Sequence, residues 1–281
     1  MGRIPFLKWV GGKGRLLPRL GPLLPLSFTG TYWEPFLGGG AMFFFLRPQQ
    51  AVLSDTNEEL IRTYRAVREH PRDVAHAFER LVSKYWSPSG FAEVVKMQPG
   101  KMSDFAVAGR MLFLNRTAFN GLYRVNSKGQ FNAPWGKYPQ PTVLDLLDIS
   151  LKLDQASNVM YGRTDIRTGD FEWILAGAEE GDFVYLDPPY VPLSETASFT
   201  SYAAGGFGPD DKKRLALLCT RLTKKGVRWM LSNSYNEVTK TLFDPATMPG
   251  VNHAVITAPR AVAAKSSSRS SVKELVIRNY T

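Results

Sequence analysis

The 281 residues predict an α/β protein in which one sheet domain is interrupted by a mainly helical, basic insertion. Three observations predict it. A strand, a glycine loop, a helix and a second strand follow one another between Thr31 and Thr56. Helical spacing then dominates to about residue 98. Buried-strand signatures return from Phe183 onward, separated by one amphipathic helix.

The elements follow in order. Tyr32-Trp33-Glu34 is an apolar strand that runs into Pro35-Phe36-Leu37-Gly38-Gly39-Gly40, and Ala51-Val52-Leu53-Ser54-Asp55 is the next strand. Glu59, Leu60, Tyr64 and Val67 set a helical period, which Val74, Phe78 and Leu81 continue after Pro71. From Gly109 to Tyr138 the composition shifts to aromatics, Asn, Gly and Arg, which suits an exposed binding surface. Phe183-Val184-Tyr185-Leu186 is a buried strand. Pro209-Asp210-Asp211 opens a helix through Leu215, Leu218 and Leu222, closed by Gly226. Val227 to Leu231 forms a strand ending at Ser232-Asn233-Ser234, and Val272 to Ile277 a final one. The run Ser266 to Ser271 then reads as a mobile basic loop between two strands. This divides the chain into a catalytic domain, residues 1–56 with 145–281, and an insertion at 57–144.

Composition excludes several classes. Hydrophobic residues at 44% and charged residues at 21% rule out disorder over most of the length. The apolar run Ala41 to Leu46 is far shorter than the ~20 residues that span a bilayer. The single cysteine, Cys219, excludes an internal disulfide and a Cys-rich zinc site. A cytoplasmic protein without a structural metal is expected. Net charge is +10, and its placement is uneven: residues 57–144 carry thirteen basic and seven acidic groups, whereas residues 145–281 carry sixteen of each. A localised basic excess points to a polyanion, because each phosphate contact releases counterions. A merely basic surface is the alternative.

Motifs decide between them. The glycines after Glu34 stand where a strand turns into a helix, so a ligand can approach the backbone and negative charge is favoured. Asp55, closing the next strand, suits ribose hydroxyls. A tight turn and a strand-end cap are the plain alternatives. Asp187-Pro188-Pro189-Tyr190 is sharper. The prolines cannot continue the ladder, so they hold a carboxylate and a bare carbonyl at the sheet's carboxyl edge beside a flat ring. An exocyclic amine needs two acceptors and a planar base needs a stacking face. A proline-stiffened turn is the competing reading. Phe6-Leu7-Lys8-Trp9-Val10-Gly11-Gly12-Lys13 offers cations and an indole, suited to covering a cofactor carboxylate or simply anchoring a loop.

Together these segments resemble the N6-adenine DNA methyltransferases of the Dam type. The resemblance runs from Phe6 to Tyr280. It includes Phe113-Leu114-Asn115-Arg116, Phe119-Asn120-Gly121-Leu122-Tyr123-Arg124, Gly129-Gln130-Phe131-Asn132, Pro192-Leu193-Ser194 and Ala197-Ser198-Phe199. It implies a Rossmann-like S-adenosylmethionine-dependent methyltransferase sheet, with the insertion as target-recognition domain, acting on double-stranded DNA as a monomer in a bacterial cytosol or from a phage. No metal, membrane or obligate protein partner is implied.

The resemblance also assigns residues. S-adenosylmethionine would be held by Trp9 and Lys13, by Pro35, Phe36, Gly38 and Gly40, by Asp55 at the ribose, and by Asp170 and Phe171 around its adenine. Asp187 is shared with the target base, and Pro188, Pro189 and Tyr190 complete the catalytic motif. Lys8 and Arg124 would read guanine edges. Leu122 and Pro134 would touch a thymine methyl, and Phe119 would wedge into the stack beside Asn120. Arg116, Asn126, Lys137 and Tyr138 complete the DNA-facing set. Phe119 stands where members often have Tyr, Tyr123 where a familiar member has a small residue, and residues 236–253 match nothing recognisable.

The implied reaction is methylation of adenine N6 within GATC, on a base flipped out of the duplex. Hydrogen bonds to Asp187 and the Pro188 carbonyl would free the nitrogen lone pair, with no covalent enzyme intermediate. Three rivals remain: an N4-cytosine methyltransferase, a catalytically silent DNA-binding protein on the same fold, and a nicotinamide oxidoreductase. The last lacks the spaced glycine fingerprint.

Overall fold

The computed structural model describes residues 5–9, 11–126, 129–189, 207–259 and 271–281. Tyr190, residues 192–194 and 197–199, and the serine run from Ser266 to Ser270 lie outside them. In chain order the elements are α1 (Leu17–Leu20), β1 (Tyr32–Glu34), α2 (Ala41–Leu46), β2 (Ala51–Asp55), α3 (Glu58–Glu69), α4 (Pro71–Tyr85), α5 (Pro88–Lys96), α6 (Asp104–Thr117) and α7 (Val143–Met160). They continue as β3 (Thr164–Thr168), α8 (Phe171–Leu175), β4 (Phe183–Leu186), α9 (Pro209–Lys224), β5 (Arg228–Ser234), α10 (Glu237–Leu242), β6 (Asn252–Pro259) and β7 (Ser271–Arg278).

The seven strands form one sheet in the order β3-β2-β1-β4-β5-β7-β6. β1 to β5 pair in parallel, and β7 runs antiparallel between β5 and β6. The expected Rossmann-like α/β sheet is therefore present, with its order reversing between β1 and β4. Period-two alternation divides the strand residues between two layers of core. Tyr32, Leu53, Phe183, Tyr185, Met230 and Val276 join one apolar cluster. Trp33, Val52, Val184, Leu186, Trp229, Leu231, Leu275 and Ile277 join the other, under α8 and α9.

The first cluster also takes in Leu60 and Val67 of α3, Phe78 of α4, Phe91 of α5 and Phe113 of α6. The helical segment thus shares one core with a face of the sheet. Two arginines of α3 close the outer edge of β3: Arg65 Nε and Nη2 donate to Ile166 O at 2.8 and 2.6 Å, and Arg68 Nη1 to Thr164 O at 2.6 Å. Occupied carbonyls make an edge strand a poorer template for foreign strands.

Helix boundaries follow their caps. Asn57 accepts from Leu60 N at 3.0 Å at the start of α3, and Thr142 and Asp145 form a capping box on α7. Pro209 occupies the first turn of α9, and Gly226, φ +77°, follows its end. One expectation is corrected. The composition from Gly109 predicts an exposed surface, yet Gly109 to Asn115 are buried, because α6 packs against α3, α4 and α5. Residues 236–253, unmatched by any motif, supply α10 and the beginning of β6. Among the described residues no helix is long and apolar enough to cross a membrane.

Candidate active site and DNA-facing surface

Because β1, β2, β3 and β4 are parallel, the segments that follow them emerge at one edge of the sheet. That edge collects Pro35 to Gly40 after β1, Asp55 at the end of β2, Asp170 after β3 and Asp187 after β4. Ligands of open α/β sheets bind there, where the strand order reverses.

The glycine loop is locked to its neighbours. Gly38 N donates to Asp55 Oδ2 at 3.1 Å, and Tyr64 Oη donates to Gly38 O at 3.1 Å. The other Asp55 oxygen accepts from Asn57 N at 3.0 Å. Burial raises the Asp55 carboxyl above its ordinary value, opposed by these backbone donors. The Trp9 indole lies directly on the loop: a Cβ at Gly38 would stand 2.7 Å from Trp9 Cδ1. The indole also stacks on Tyr123, with centroids 5.6 Å apart and planes at 16°. Trp9, assigned to the cofactor, thus touches Tyr123, whose chain neighbours Leu122 and Arg124 are assigned to DNA.

Asp187 is the centre of a buried ionic group. Lys13 Nζ lies 2.9 Å from Asp187 Oδ1 and 3.7 Å from Glu274 Oε1. Burial pushes the Asp187 carboxyl up to about 6, with Lys13 opposing and Glu274 adding to the rise. The sequence suits Lys13 to covering a cofactor carboxylate, and the structure seats its ammonium on the Asp187 carboxylate. Beneath it, Glu34 Oε2 accepts from Tyr32 Oη at 2.7 Å and from Phe43 N at 3.1 Å. Burial raises Glu34 to about 8. Pro188 is buried and Pro189 exposed beside Asp187.

Asp170 caps α8, accepting from Glu172 N at 3.0 Å, and takes Arg214 Nη2 at 2.7 Å. The Arg214 guanidinium also covers the Phe171 ring at 4.9 Å. Phe36 meets Phe171 at 5.4 Å and Phe207 at 5.7 Å. Aromatic walls with a carboxylate beside them suit a planar heterocycle bearing an amine. Arg214 and Phe207 were missed by sequence reasoning, since nothing in their local sequence marks them. Asn115 was missed as an anchor: its side chain accepts from Lys8 N at 2.9 Å and donates to Lys8 O and Gly121 O at 2.7 and 3.1 Å.

The segment from Ala118 to Tyr138 doubles back on itself. Ala118 bridges Trp135, and Val125 bridges Phe131. Phe119, 51% exposed, and Asn120, at φ +57°, sit at one bend, where Asn120 N donates to Tyr138 Oη at 2.9 Å. Lys8 is exposed, its ammonium 5.9 Å from the Tyr138 ring centroid. Arg124 is held by Asn132, through Nε to Oδ1 at 2.8 Å and Nη2 to the carbonyl at 3.0 Å. Leu122 is half-buried, Pro134 and Lys137 are exposed, and Asn126 N donates to Gln130 O at 2.8 Å. Arg116 Nε is buried without a hydrogen-bond partner among the described residues. Burial lowers the pKa of both Arg116 and Lys8, and Arg116 lowers that of Lys8 further. A lysine depressed by a neighbouring guanidinium suits an anion shared between the two.

Among the described residues, those assigned thus fall into two adjoining groups, one at the sheet edge and one on or beside the doubled-back segment. Known proteins match the chain over the same span. The type II methyltransferase M1.LlaDCHI of Lactococcus lactis subsp. cremoris is 41% identical over 279 residues, covering 98% of this chain and 95% of that protein. The type II methyltransferase M.MjaIII of Methanocaldococcus jannaschii is 35% identical, covering 98% and 99%. The DNA adenine methylase of Escherichia coli is 30% identical, covering 96% and 93%. The family model for D12 class N6 adenine-specific DNA methyltransferases matches residues 9–255, and the chain belongs to that family.

Proposed function

We propose that this adenine-specific DNA methyltransferase modifies N6 of an adenine flipped out of duplex DNA, within GATC, with S-adenosylmethionine as donor. The observation that carries the reading is the Asp187 carboxylate, pinned by buried Lys13 at the carboxyl end of β4 and followed by two prolines. The sheet edge fits the donor chemically. Asp55 and Asp170 are acceptors for ribose hydroxyls and an adenine amine, Phe36 and Phe171 are apolar walls, and acidic groups favour a cationic sulfur. When bound, that donor supplies an electrophilic methyl group on a sulfonium.

The protein's own residues do the rest. Asp187 and the Pro188 carbonyl accept hydrogen bonds from the two N6–H groups, so the amine gives up conjugation with the ring and its lone pair turns toward the methyl group. Once the new C–N bond has formed, the nitrogen releases one of its protons on the Asp187 side. Asp187 must be ionised, and its negative charge offsets the positive charge that develops on N6. Proline fixes the carbonyl's direction. Tyr190 is proposed as the stacking face for the extruded base. Phe119 fills the vacated stack, Lys8 and Arg124 read guanine edges, and Lys137, Arg116, Asn126 and Tyr138 hold the backbone. Residues 57–144 serve as the target-recognition unit.

The test is direct. Duplexes of varied sequence are incubated with methyl-labelled S-adenosylmethionine, and the modified base and its neighbours are identified. Label on adenine N6 inside GATC is expected. Label on cytosine N4, or adenine label outside GATC, overturns the corresponding part of the reading. DNA binding without label favours a silent DNA-binding protein.

A further inference from the structure

Lys13 sits between two carboxylates contributed by distant strands. Asp187 follows β4, whereas Glu274 lies on β7, opposite Ser234 of β5. The lysine side chain is 2% exposed, Glu274 8% and Asp187 20%, so the cation is sealed and Asp187 is the member that reaches outward. Glu274 is also fixed from its other oxygen, 3.3 Å from Ser232 Oγ, which donates to it. Buried carboxylates are costly unless paired, and a second acid on one buried lysine is more than a structural ion pair requires. Such excess charge at a sheet edge is the pattern of a functional site.

Resting on the reading above, we propose that Glu274 is a positioning residue for methyl transfer: it anchors the Lys13 ammonium through a second carboxylate contact, so that Lys13 holds the Asp187 carboxylate in one orientation toward the adenine amine. A lysine stem is flexible and its ammonium can donate in several directions. One anchor lets the ammonium pivot about that contact. Two anchors define its position.

The charges facing Asp187 set the sign of the test. Lys13 lowers its proton affinity and Glu274 raises it. Glu34 lies below on β1, coupled to Asp187, and the Tyr32 and Tyr185 hydroxyls are kept protonated far above their ordinary range by burial. Removing the Glu274 charge leaves Lys13 to act on Asp187 alone, so Asp187 ionises at lower pH.

Glu274→Gln is made in the full chain and read in two ways. Carbon-13 titration of the Asp187 carboxyl, assigned with Asp187→Asn, is followed without cofactor or DNA. Single-turnover methyl transfer is followed against pH on a duplex the wild type methylates. The titration and the acidic limb of the rate are expected to move together to lower pH. The plateau rate falls about tenfold, within the range that small misplacements cost. Lys13→Met moves the titration the other way. A Gln variant with an unmoved titration, or with a lowered plateau and an unmoved limb, overturns the proposal. If that variant does not fold, Glu274→Asp carries the test. It keeps the charge but shortens the reach, so a lowered plateau with the limb in place is expected, and a wild-type plateau overturns the proposal. A wild type that methylates no adenine overturns the functional reading instead, so the two failures are distinguishable.

Discussion

Gly38→Ala measures how tightly the amino-terminal segment and the glycine loop are built into one surface. Two costs apply. Gly38 has φ +47°, where an L-residue is strained by roughly 1–2 kcal/mol. The new Cβ would also stand 2.7 Å from Trp9 Cδ1 and 2.9 Å from Nε1, closer than real contacts allow. The indole is held in a stack with Tyr123, which is itself 2% exposed, so its movement is restricted. Overpacking of that kind costs about 1–3 kcal/mol. The sum, roughly 2–5 kcal/mol, divides between lost stability and lost cofactor affinity, according to whether the loop holds its shape. Gly250→Ala is the control, because its φ is +88° and nothing lies within 4 Å of the added Cβ. Urea unfolding and calorimetric titration with S-adenosylhomocysteine are measured for both, in Trp9 and Trp9→Ala backgrounds. Gly38→Ala should lose clearly more than Gly250→Ala, and the excess should vanish once the indole is gone. An equal loss with and without Trp9 would refute the clash.

Asp187→Asn should lower single-turnover methyl transfer by roughly 10²–10³ while DNA affinity stays within several-fold, because an amide keeps an acceptor but loses the charge. Arg124→Ala should cost about 1–3 kcal/mol of discrimination at one guanine, read as kcat/KM on GATC and its single-base variants at fixed salt. Lys137→Ala should instead weaken binding to every sequence and reduce the salt slope by about one unit. For Glu34, burial raises the folded-state carboxyl from 4.5 to about 8, so between those values the folded protein holds a proton that the unfolded chain has released. Wild-type stability from this group therefore falls as pH rises through that window. Glu34→Gln should remove the fall, seen as a smaller loss of unfolding midpoint with rising pH. An identical pH dependence in both proteins would return Glu34 to an ordinary carboxyl.

Much of the site was legible because its signals are local. The proline pair after Phe183-Val184-Tyr185-Leu186 marks a strand end by a rule that involves no distant residue. The glycines after Glu34 likewise mark a turn that other side chains cannot make. The reading of residues 109–138 shows the limit. Local composition suggested a surface, but α6 is enclosed by three other helices, and enclosure is a property of packing rather than of the segment. Asn115 reads as one polar residue in an apolar helix until its partners, Lys8 and Gly121, are seen.

By itself the sequence determined β1, β2, β4, β5 and β7, the helix between Pro209 and Gly226, the order of the motifs and the family they resemble, but not β3 or β6. Each depends on periodicity or on residues close along the chain. The tertiary structure alone decided that Lys13 rests on Asp187 and Glu274 and that Trp9 touches both the Gly38 loop and Tyr123. It also decided that Arg214 holds Asp170. These partners are joined by sheet order and helix packing, and a pairing across distant segments leaves no periodic trace in either segment. The acidic pKa of Asp187 follows the same logic, because burial and two opposing neighbours set it, and none of the three is written in the tetrapeptide that contains it.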